Sequence, residues 1–149
     1  MNKQQEIFDT LFKVAVAVEP VSHAKVASCI VYRNRIVAIG VNKKKSHPFQ
    51  LKYANHPKAI YLHAETAALK RSLHTIPVTW LPKCSLFVLR VKCPQFREFP
   101  YSDWAPAVAK PCKSCQKAIV EFKIKDVFFS TGETCFDSGR PEIGRIVLS

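Results

Sequence analysis

Two short groups of residues in this chain combine side chains that bind transition metals. His63 and Glu65 lie two residues apart, and Cys112 and Cys115 lie three residues apart. Imidazole and thiolate are ligands that zinc prefers, and a carboxylate beside a metal can carry protons. These residue types indicate a zinc site with a neighbouring acid–base group. The alternative is a set of solvated polar residues beside a redox-active cysteine pair.

The spacing of the two cysteines predicts that their sulfur atoms converge. Pro111 is typical of a helix start, and residues three apart on a helix lie on the same face. The amino-terminal end of a helix carries a partial positive charge, which lowers the pKa of a thiol and favours the thiolate that binds metal. Together with His63, the set becomes one imidazole and two thiolates. Three protein ligands are typical of a catalytic zinc, which keeps its fourth position for water, whereas a structural zinc is usually closed by four.

Glu65 distinguishes a catalytic zinc from a structural one. Zinc lowers the pKa of a bound water from about 15.7 to about 7. The resulting hydroxide cannot protonate a ring nitrogen or a departing amine, but a carboxylate beside it can carry those protons. A zinc ion that only stabilises the fold does not need such a group.

The composition predicts one globular domain with a strongly basic surface. The chain has 149 residues, of which 48% are hydrophobic, and its 23 Lys and Arg against 11 Asp and Glu give a net charge of +12. We expect a single domain over residues 1–149. A charge of this size favours nucleic acid or nucleotide phosphate as the partner, although lysines that only solvate the surface are the alternative.

No segment of the sequence has the length and hydrophobicity of a secretory signal or a membrane span. We therefore expect a cytoplasmic protein with no membrane partner, whose cysteines are mostly reduced. Outside the Pro111–Cys115 motif, Cys29, Cys84, Cys93 and Cys135 are expected to be buried or incidental thiols rather than a second metal site. The sequence does not indicate an oligomeric state.

Hydrophobic periodicity predicts the elements that position these residues. The expected order is a first helix (4–18), a hairpin of two strands between Val26 and Val41 with its turn at Asn34-Arg35, a second helix (61–73), a third strand (84–91), a third helix after Pro111, a fourth strand (125–130), irregular chain, and a short last strand (145–149). The connector over 92–110 is long enough to be functional or loosely ordered. No helix-length segment separates the last two strands, so we expect them to be antiparallel.

The two motifs together resemble a known signature. His63-Ala64-Glu65 and the Pro111–Cys115 motif, on successive helices separated by a strand, are similar to the H-x-E and P-C-x-x-C signature of the zinc-dependent cytidine deaminase superfamily. The resemblance implies an α/β fold, a three-layer α-β-α sandwich around a mixed sheet of four to five strands. It also implies that His63, Cys112 and Cys115 bind one zinc ion and that Glu65 is the proton shuttle.

The same resemblance implies three substrate contacts. Ala64 and Pro111 would contact the base through their backbone. Asn42, which ends the second strand, would contact the sugar or the base. The implied reaction is the hydrolytic deamination of cytosine to uracil. The connector over 92–110 is longer than is usual in the family, so the substrate does not follow from the resemblance.

Two stretches that interleave basic and aromatic residues favour a polynucleotide substrate. They are Lys43, Lys44, Lys45, Phe49, Lys52, Tyr53 and Lys58 in the first, and Lys92, Phe96, Arg97, Phe99, Tyr101 and Trp104 in the second. Single-stranded nucleic acid is bound by such pairs of stacking faces and cations, although some of these aromatics can instead cover the core. We predict cytosine in single-stranded DNA or RNA as the substrate. A free nucleoside or monophosphate, and a non-catalytic zinc-containing nucleic-acid-binding module, are the alternatives.

Overall fold

The computed structural model describes residues 2–17, 24–42, 52–53, 63–92, 105–134 and 141–148. Its elements are α1 (Lys3–Ala17), β1 (Ala24–Tyr32), β2 (Arg35–Val41), α2 (Ala64–Ser72), a 3₁₀ helix (Val78–Lys83), β3 (Ser85–Lys92), β4 (Ala105–Ala107), α3 (Lys113–Glu121), β5 (Asp126–Thr134) and β6 (Pro141–Val147). The predicted order of helices and strands is confirmed, and the 3₁₀ helix and β4 are additions to it. None of the helices in these ranges is long and apolar enough to cross a membrane.

The strands form one mixed sheet in the order β2-β1-β3-β5-β6, and β4 pairs with β3 beside this path. β3 and β5 run parallel, while β1 is antiparallel to both of its neighbours. The chain passes from β3 through β4 and α3 to β5. Because α3 lies in the crossover between two parallel strands, its first turn lies near the carboxyl end of β3. This connection positions Cys112 and Cys115 near the carboxyl end of β3, in the middle of the sheet.

Helices cover both faces of the sheet. One core cluster joins α1 to one face of β1 and β3 through Phe8, Leu11, Cys29 and Phe87. The second cluster joins α2 and α3 to the opposite face through Leu69, Ile119, Ile30, Leu86 and Val88. Successive residues of a strand point to opposite faces, so neighbours such as Cys29 and Ile30 belong to different clusters. The predicted three-layer α-β-α sandwich is confirmed.

Two of the cysteines that were not expected to bind metal lie in the described residues. Cys29 and Cys84 are buried free thiols, as predicted. Burial raises the pKa of Cys29 to about 12. Burial also raises the pKa of Cys84, so at both positions it disfavours the thiolate that metal binding and redox reactivity require. Cys93 and Cys135 lie outside the described residues.

The hairpin turn lies one residue earlier than the sequence predicted. Arg33 and Asn34 have φ values of 49° and 64°, and Arg35 already belongs to β2. Positive φ at both central residues is the geometry of the two-residue turn that matches the twist of antiparallel strands. Asparagine tolerates this conformation better than arginine does, but the predicted and the observed turn both pair Asn34 with an arginine, so residue type does not decide between them.

The last two strands are longer than predicted. β5 continues to Thr134, and β6 begins at Pro141, where irregular chain was expected. β6 is an edge strand in this sheet, and an edge strand tolerates proline as its first residue. A side chain at Gly144 would lie 2.7 Å from the ring of Phe129, so glycine there accommodates packing and does not break the strand. The predicted antiparallel pairing of the last two strands is confirmed.

Lys25 connects α1 to the sheet. Its side chain is buried and its Nζ donates a hydrogen bond of 2.9 Å to the carbonyl oxygen of Val16, in the last turn of α1. Carbonyls at a helix end lack partners within the helix, and hydrogen bonds to charged groups contribute about 1.5–3 kcal/mol. We expect Lys25→Met to lower the free energy of unfolding by about that amount in urea titrations. Lys13→Met, an exposed change on the same helix, should alter it by less than about 0.5 kcal/mol. An unchanged urea midpoint for Lys25→Met would contradict this account.

Candidate metal centre

Two helices begin at the residues that were predicted to bind metal. His63 is the N-cap residue of α2 and Cys112 is the N-cap residue of α3. Neither side chain forms a capping hydrogen bond to its own helix, so the imidazole and the thiol are available as ligands. Cys115 follows in the first turn of α3 and is fully buried. Packing of α2 and α3 on the same face of the sheet brings the two helix starts together.

The ligand atoms have the spacing of a tetrahedral zinc site. Nδ1 of His63 lies 3.2 Å from Sγ of Cys115 and 3.5 Å from Sγ of Cys112, and all three atoms lie within 4.8 Å of one another. Zn–N bonds of about 2.0–2.1 Å and Zn–S bonds of about 2.3 Å place nitrogen and sulfur ligands about 3.5 Å apart in a tetrahedron. The three side chains are positioned to bind one metal ion, and one imidazole with two thiolates fits zinc.

Hydrogen bonds within the cluster favour a thiolate at Cys112. The Cys115 thiol, the His63 imidazole and the Ser114 hydroxyl all hydrogen-bond its sulfur, and they lower the pKa of Cys112 to about 3. The pKa of His63 is raised, chiefly by its hydrogen bond with Cys112. The pKa of Cys115 is raised because its thiol donates to Cys112 and is buried. These hydrogen bonds favour the thiolate, the form of cysteine that binds metal, at Cys112.

Further hydrogen bonds fix the two helix starts. Oγ of Ser114 lies 3.1 Å from Sγ of Cys112, and Nε2 of Gln116 donates to the carbonyl oxygen of Pro111 at 2.8 Å. On α2, the hydroxyl of Thr66 donates to the carbonyl oxygen of His63 at 3.1 Å. Such outer contacts orient ligands and tune their affinity for metal. The sequence reasoning missed all three residues, although the position of Ser114 between two predicted ligands was a usable signal.

Glu65 lies in the first turn of α2, beside the ligands, and its side chain is buried. Burial raises the pKa of its carboxyl group. The charge of the nearby His63 lowers that pKa, but by less. The carboxyl group also hydrogen-bonds the thiol of Cys115. A buried carboxylate next to a set of metal-binding side chains is a group that can accept and release protons.

Of the three residues predicted to contact substrate, Ala64 begins α2, Pro111 precedes the N-cap residue of α3, and Asn42 follows the last residue of β2. Oδ1 of Asn42 accepts a hydrogen bond of 2.9 Å from the backbone nitrogen of Val26. The carbonyl oxygen of Ala64 accepts from the hydroxyl of Ser28, and that of Pro111 accepts from Gln116. Both backbone carbonyls therefore already have a protein partner.

Only part of the two basic and aromatic stretches lies in the described residues. Lys52 forms an ion pair of 3.2 Å with Glu121, and Tyr53 is buried in the core beneath it. These two residues make contacts within the protein, which favours the alternative that some of the aromatics cover the core. Lys92 ends β3 and is exposed. The remaining members, Lys43, Lys44, Lys45, Phe49, Lys58, Phe96, Arg97, Phe99, Tyr101 and Trp104, lie outside the described residues.

Comparisons with known proteins identify a matching family and structures of similar fold. Residues 1–131 match the family described as the cytidine and deoxycytidylate deaminase zinc-binding region. The fold is similar to that of a cytidine deaminase from Burkholderia pseudomallei, with a TM-score of 0.56 and 14% identity over 97% of this chain and 92% of that one. A dCMP deaminase from the cyanophage S-TIM5 gives a TM-score of 0.49 and 21% identity over 85% and 83% of the two chains. No curated protein matches the sequence.

Proposed function

Because the chain belongs to the cytidine and deoxycytidylate deaminase family of zinc-dependent hydrolases, we propose that it converts cytosine to uracil and releases ammonia. The observation that carries the proposal is the convergence of one imidazole and two thiols next to a buried carboxylate. We propose His63, Cys112 and Cys115 as the ligands of one zinc ion and Glu65 as the proton carrier.

Glu65 has two proton transfers to perform in this reaction. When bound at the site, zinc supplies a water molecule whose pKa is lowered to about 7, so that a nucleophile is available at neutral pH. The carboxylate of Glu65 would take one proton from the attacking water and deliver it to the ring nitrogen of cytosine, and it would then take the remaining proton from the same oxygen and deliver it to the departing amino group. The ring carbon gains a bond to the water oxygen and loses its bond to the amino nitrogen, which leaves as ammonia. The burial of Glu65 shields these transfers from bulk solvent.

Hydrogen bonds within the protein limit which backbone atoms at the two helix starts can contact a base. The N–H groups of a helix's first turn have no partner within the helix, and the carbonyl oxygen of Ala64 already accepts from Ser28. We therefore propose that Ala64 binds the base through its N–H. Pro111 has no N–H, so its contact would use the second lone pair of its carbonyl oxygen. Asn42 would donate from Nδ2 to the sugar or the base.

A single-stranded polynucleotide is the substrate class that we propose. Its support is the net charge of +12 together with exposed Lys110 and Lys113, which flank Cys112 in the chain. A monophosphate needs only one or two cations, whereas a longer anion uses several. An unpaired strand also avoids the few kcal/mol that unstacking a base from a duplex costs. A free pyrimidine monophosphate is the rival substrate, since the family includes deoxycytidylate deaminases.

If these lysines bind phosphates, affinity for a cytosine-containing oligonucleotide should fall steeply with salt. The slope of log affinity against log salt is about −0.7 per phosphate neutralised on a single strand. We expect the double variant Lys110→Gln, Lys113→Gln to make this slope less negative by about 1.4, measured by fluorescence anisotropy at several salt concentrations. Lys83→Gln, an exposed change at the end of the 3₁₀ helix, should leave the slope unchanged.

A panel of cytidine, deoxycytidine, their monophosphates, and single-stranded and duplex DNA and RNA, measured by mass spectrometry, identifies the substrate. We expect turnover of single strands ahead of the monophosphates. Efficient turnover of a monophosphate, with oligonucleotide binding that does not depend on salt, would replace the polynucleotide proposal with nucleotide salvage.

A further inference from the structure

A serine and a glycine on neighbouring strands face the start of α2. Ser28 of β1 and Gly40 of β2 are paired directly across the antiparallel ladder. Ser28 is fully buried, and its Oγ donates a hydrogen bond of 2.6 Å to the carbonyl oxygen of Ala64. A buried hydroxyl in a largely apolar strand needs a partner, because burying it without one costs free energy. Here the partner is the backbone of the residue between His63 and Glu65.

Gly40 allows the same backbone to approach the sheet. A Cβ atom at this position would overlap the carbonyl oxygen of Ala64 and the nitrogen of Ala68, and it would lie 2.9 Å from the carbonyl carbon of Ala67. Among the described glycines, only Gly132 has a positive φ, so conformational freedom does not explain glycine at position 40. A glycine within a strand often marks the close approach of another backbone.

We propose that Ser28 and Gly40 act as a pair of positioning residues for the segment from His63 to Glu65. Gly40 sets the distance of α2 from the sheet, and Ser28 fixes the direction of the Ala64 carbonyl group. The two peptide groups on either side of Ala64 connect a metal ligand to the proton carrier, so their orientation places both side chains. This inference rests on the roles proposed above for His63 and Glu65.

Ser72 provides a matched control on the same helix. It is also fully buried, and its Oγ donates a hydrogen bond of 2.6 Å to the carbonyl oxygen of Leu69. Ser28→Ala and Ser72→Ala therefore each delete one buried hydroxyl bonded to a carbonyl of α2, the first at the start of the helix and the second at its end. Both variants should lose stability to a similar extent, so melting temperature alone cannot separate a positioning role from a structural one.

Two further measurements separate these roles. Both are made well below the melting temperature of each variant, and kcat is measured in excess zinc. Ser28→Ala should lower kcat about tenfold, because misplacing a catalytic group by about 1 Å can lower the rate by up to about 100-fold. Its zinc should also pass to a chelator about tenfold faster, since outer contacts of a metal ligand typically change affinity by about 10–100-fold. Ser72→Ala should stay within about twofold of the wild type in both measurements, because its hydroxyl lies at the far end of α2. Gly40→Ala should have a lower kcat and a faster zinc release than Ser28→Ala. If Gly40→Ala fails to fold, the two serine variants are sufficient for the test.

Wild-type kcat and zinc release in Ser28→Ala would overturn the proposal, whatever its melting temperature. Equal losses in Ser28→Ala and Ser72→Ala would also overturn it, because the effect would then be a general destabilisation of α2. If the wild-type protein releases no ammonia from any cytosine substrate, the proposed function fails. The comparison of zinc release still tests the positioning pair in that case, since it requires no substrate.

Discussion

Replacing Glu65 with glutamine is expected to lower the rate of ammonia release by about 10²–10⁴-fold while leaving one zinc ion bound per chain. The variant removes the proton carrier and none of the three metal ligands. Glutamine has nearly the same shape as glutamate, and it relieves the protein of a buried carboxylate, so the fold should persist. The loss should appear in kcat, because the proton transfers take place only after substrate has bound.

The matched control for this experiment is Glu6→Gln, which makes the same chemical change on the exposed face of α1 and should have wild-type kcat. Zinc content and melting temperature are measured on the same samples. Activity near that of the wild type in Glu65→Gln would contradict the mechanism. Full zinc and full nucleic-acid binding in a wild-type protein without activity would favour the non-catalytic module.

Replacing one of the three ligands is expected to abolish or greatly weaken zinc binding. Cys115→Ala leaves the site with His63 and Cys112, and its loss of zinc affinity should exceed the factor of about 10–100 that outer contacts contribute. Ligand binding to the folded state contributes about 4.1 kcal/mol at a thousandfold excess over Kd, so the variant should also lose the stabilisation that zinc provides. Metal analysis after dialysis, and melting temperatures with and without added zinc, measure the two effects.

Cys29→Ala is the matched control, since it removes a fully buried thiol from the core cluster between α1 and the sheet. It should be destabilised by the small cavity and should retain its zinc. Cys112→Ala and His63→Ala should resemble Cys115→Ala. Full zinc occupancy in the ligand variants would mean that the ligands are misassigned.

The sequence predicts well that His63, Cys112 and Cys115 converge, because each motif is local. Cys112 and Cys115 belong to one helix start, and their separation alone places both sulfurs on one side. His63 required only the inference that a second helix begins nearby. The structure brings the three ligand atoms within 4.8 Å of one another. Their roles in binding zinc, and that of Glu65 in proton transfer, remain predictions.

Contacts between distant segments are what the sequence could not predict. Ser28 meets Ala64 across 36 positions of the chain, and no periodicity marks that serine as different from its neighbours. The reason for glycine at position 144 is also a long-range contact, because Phe129 lies beside Gly144 only after β5 and β6 have paired. Local propensity treats Pro141 and Gly144 as strand breakers, yet an edge position and a neighbouring ring accommodate them. The true ends of β5 and β6 therefore depend on the assembled sheet.

The most direct test of the central claim is ammonia release by the purified protein in three states: as zinc-loaded, after zinc removal by a chelator, and after zinc is restored. A pool of cytosine-containing nucleosides, monophosphates and single-stranded oligonucleotides serves as substrate, and mass spectrometry follows the conversion of cytosine to uracil. We predict conversion in the first state, its loss in the second, and its return in the third. Zinc binding at full occupancy with no uracil formed from any member of the pool would contradict the assignment of this protein as a cytosine deaminase.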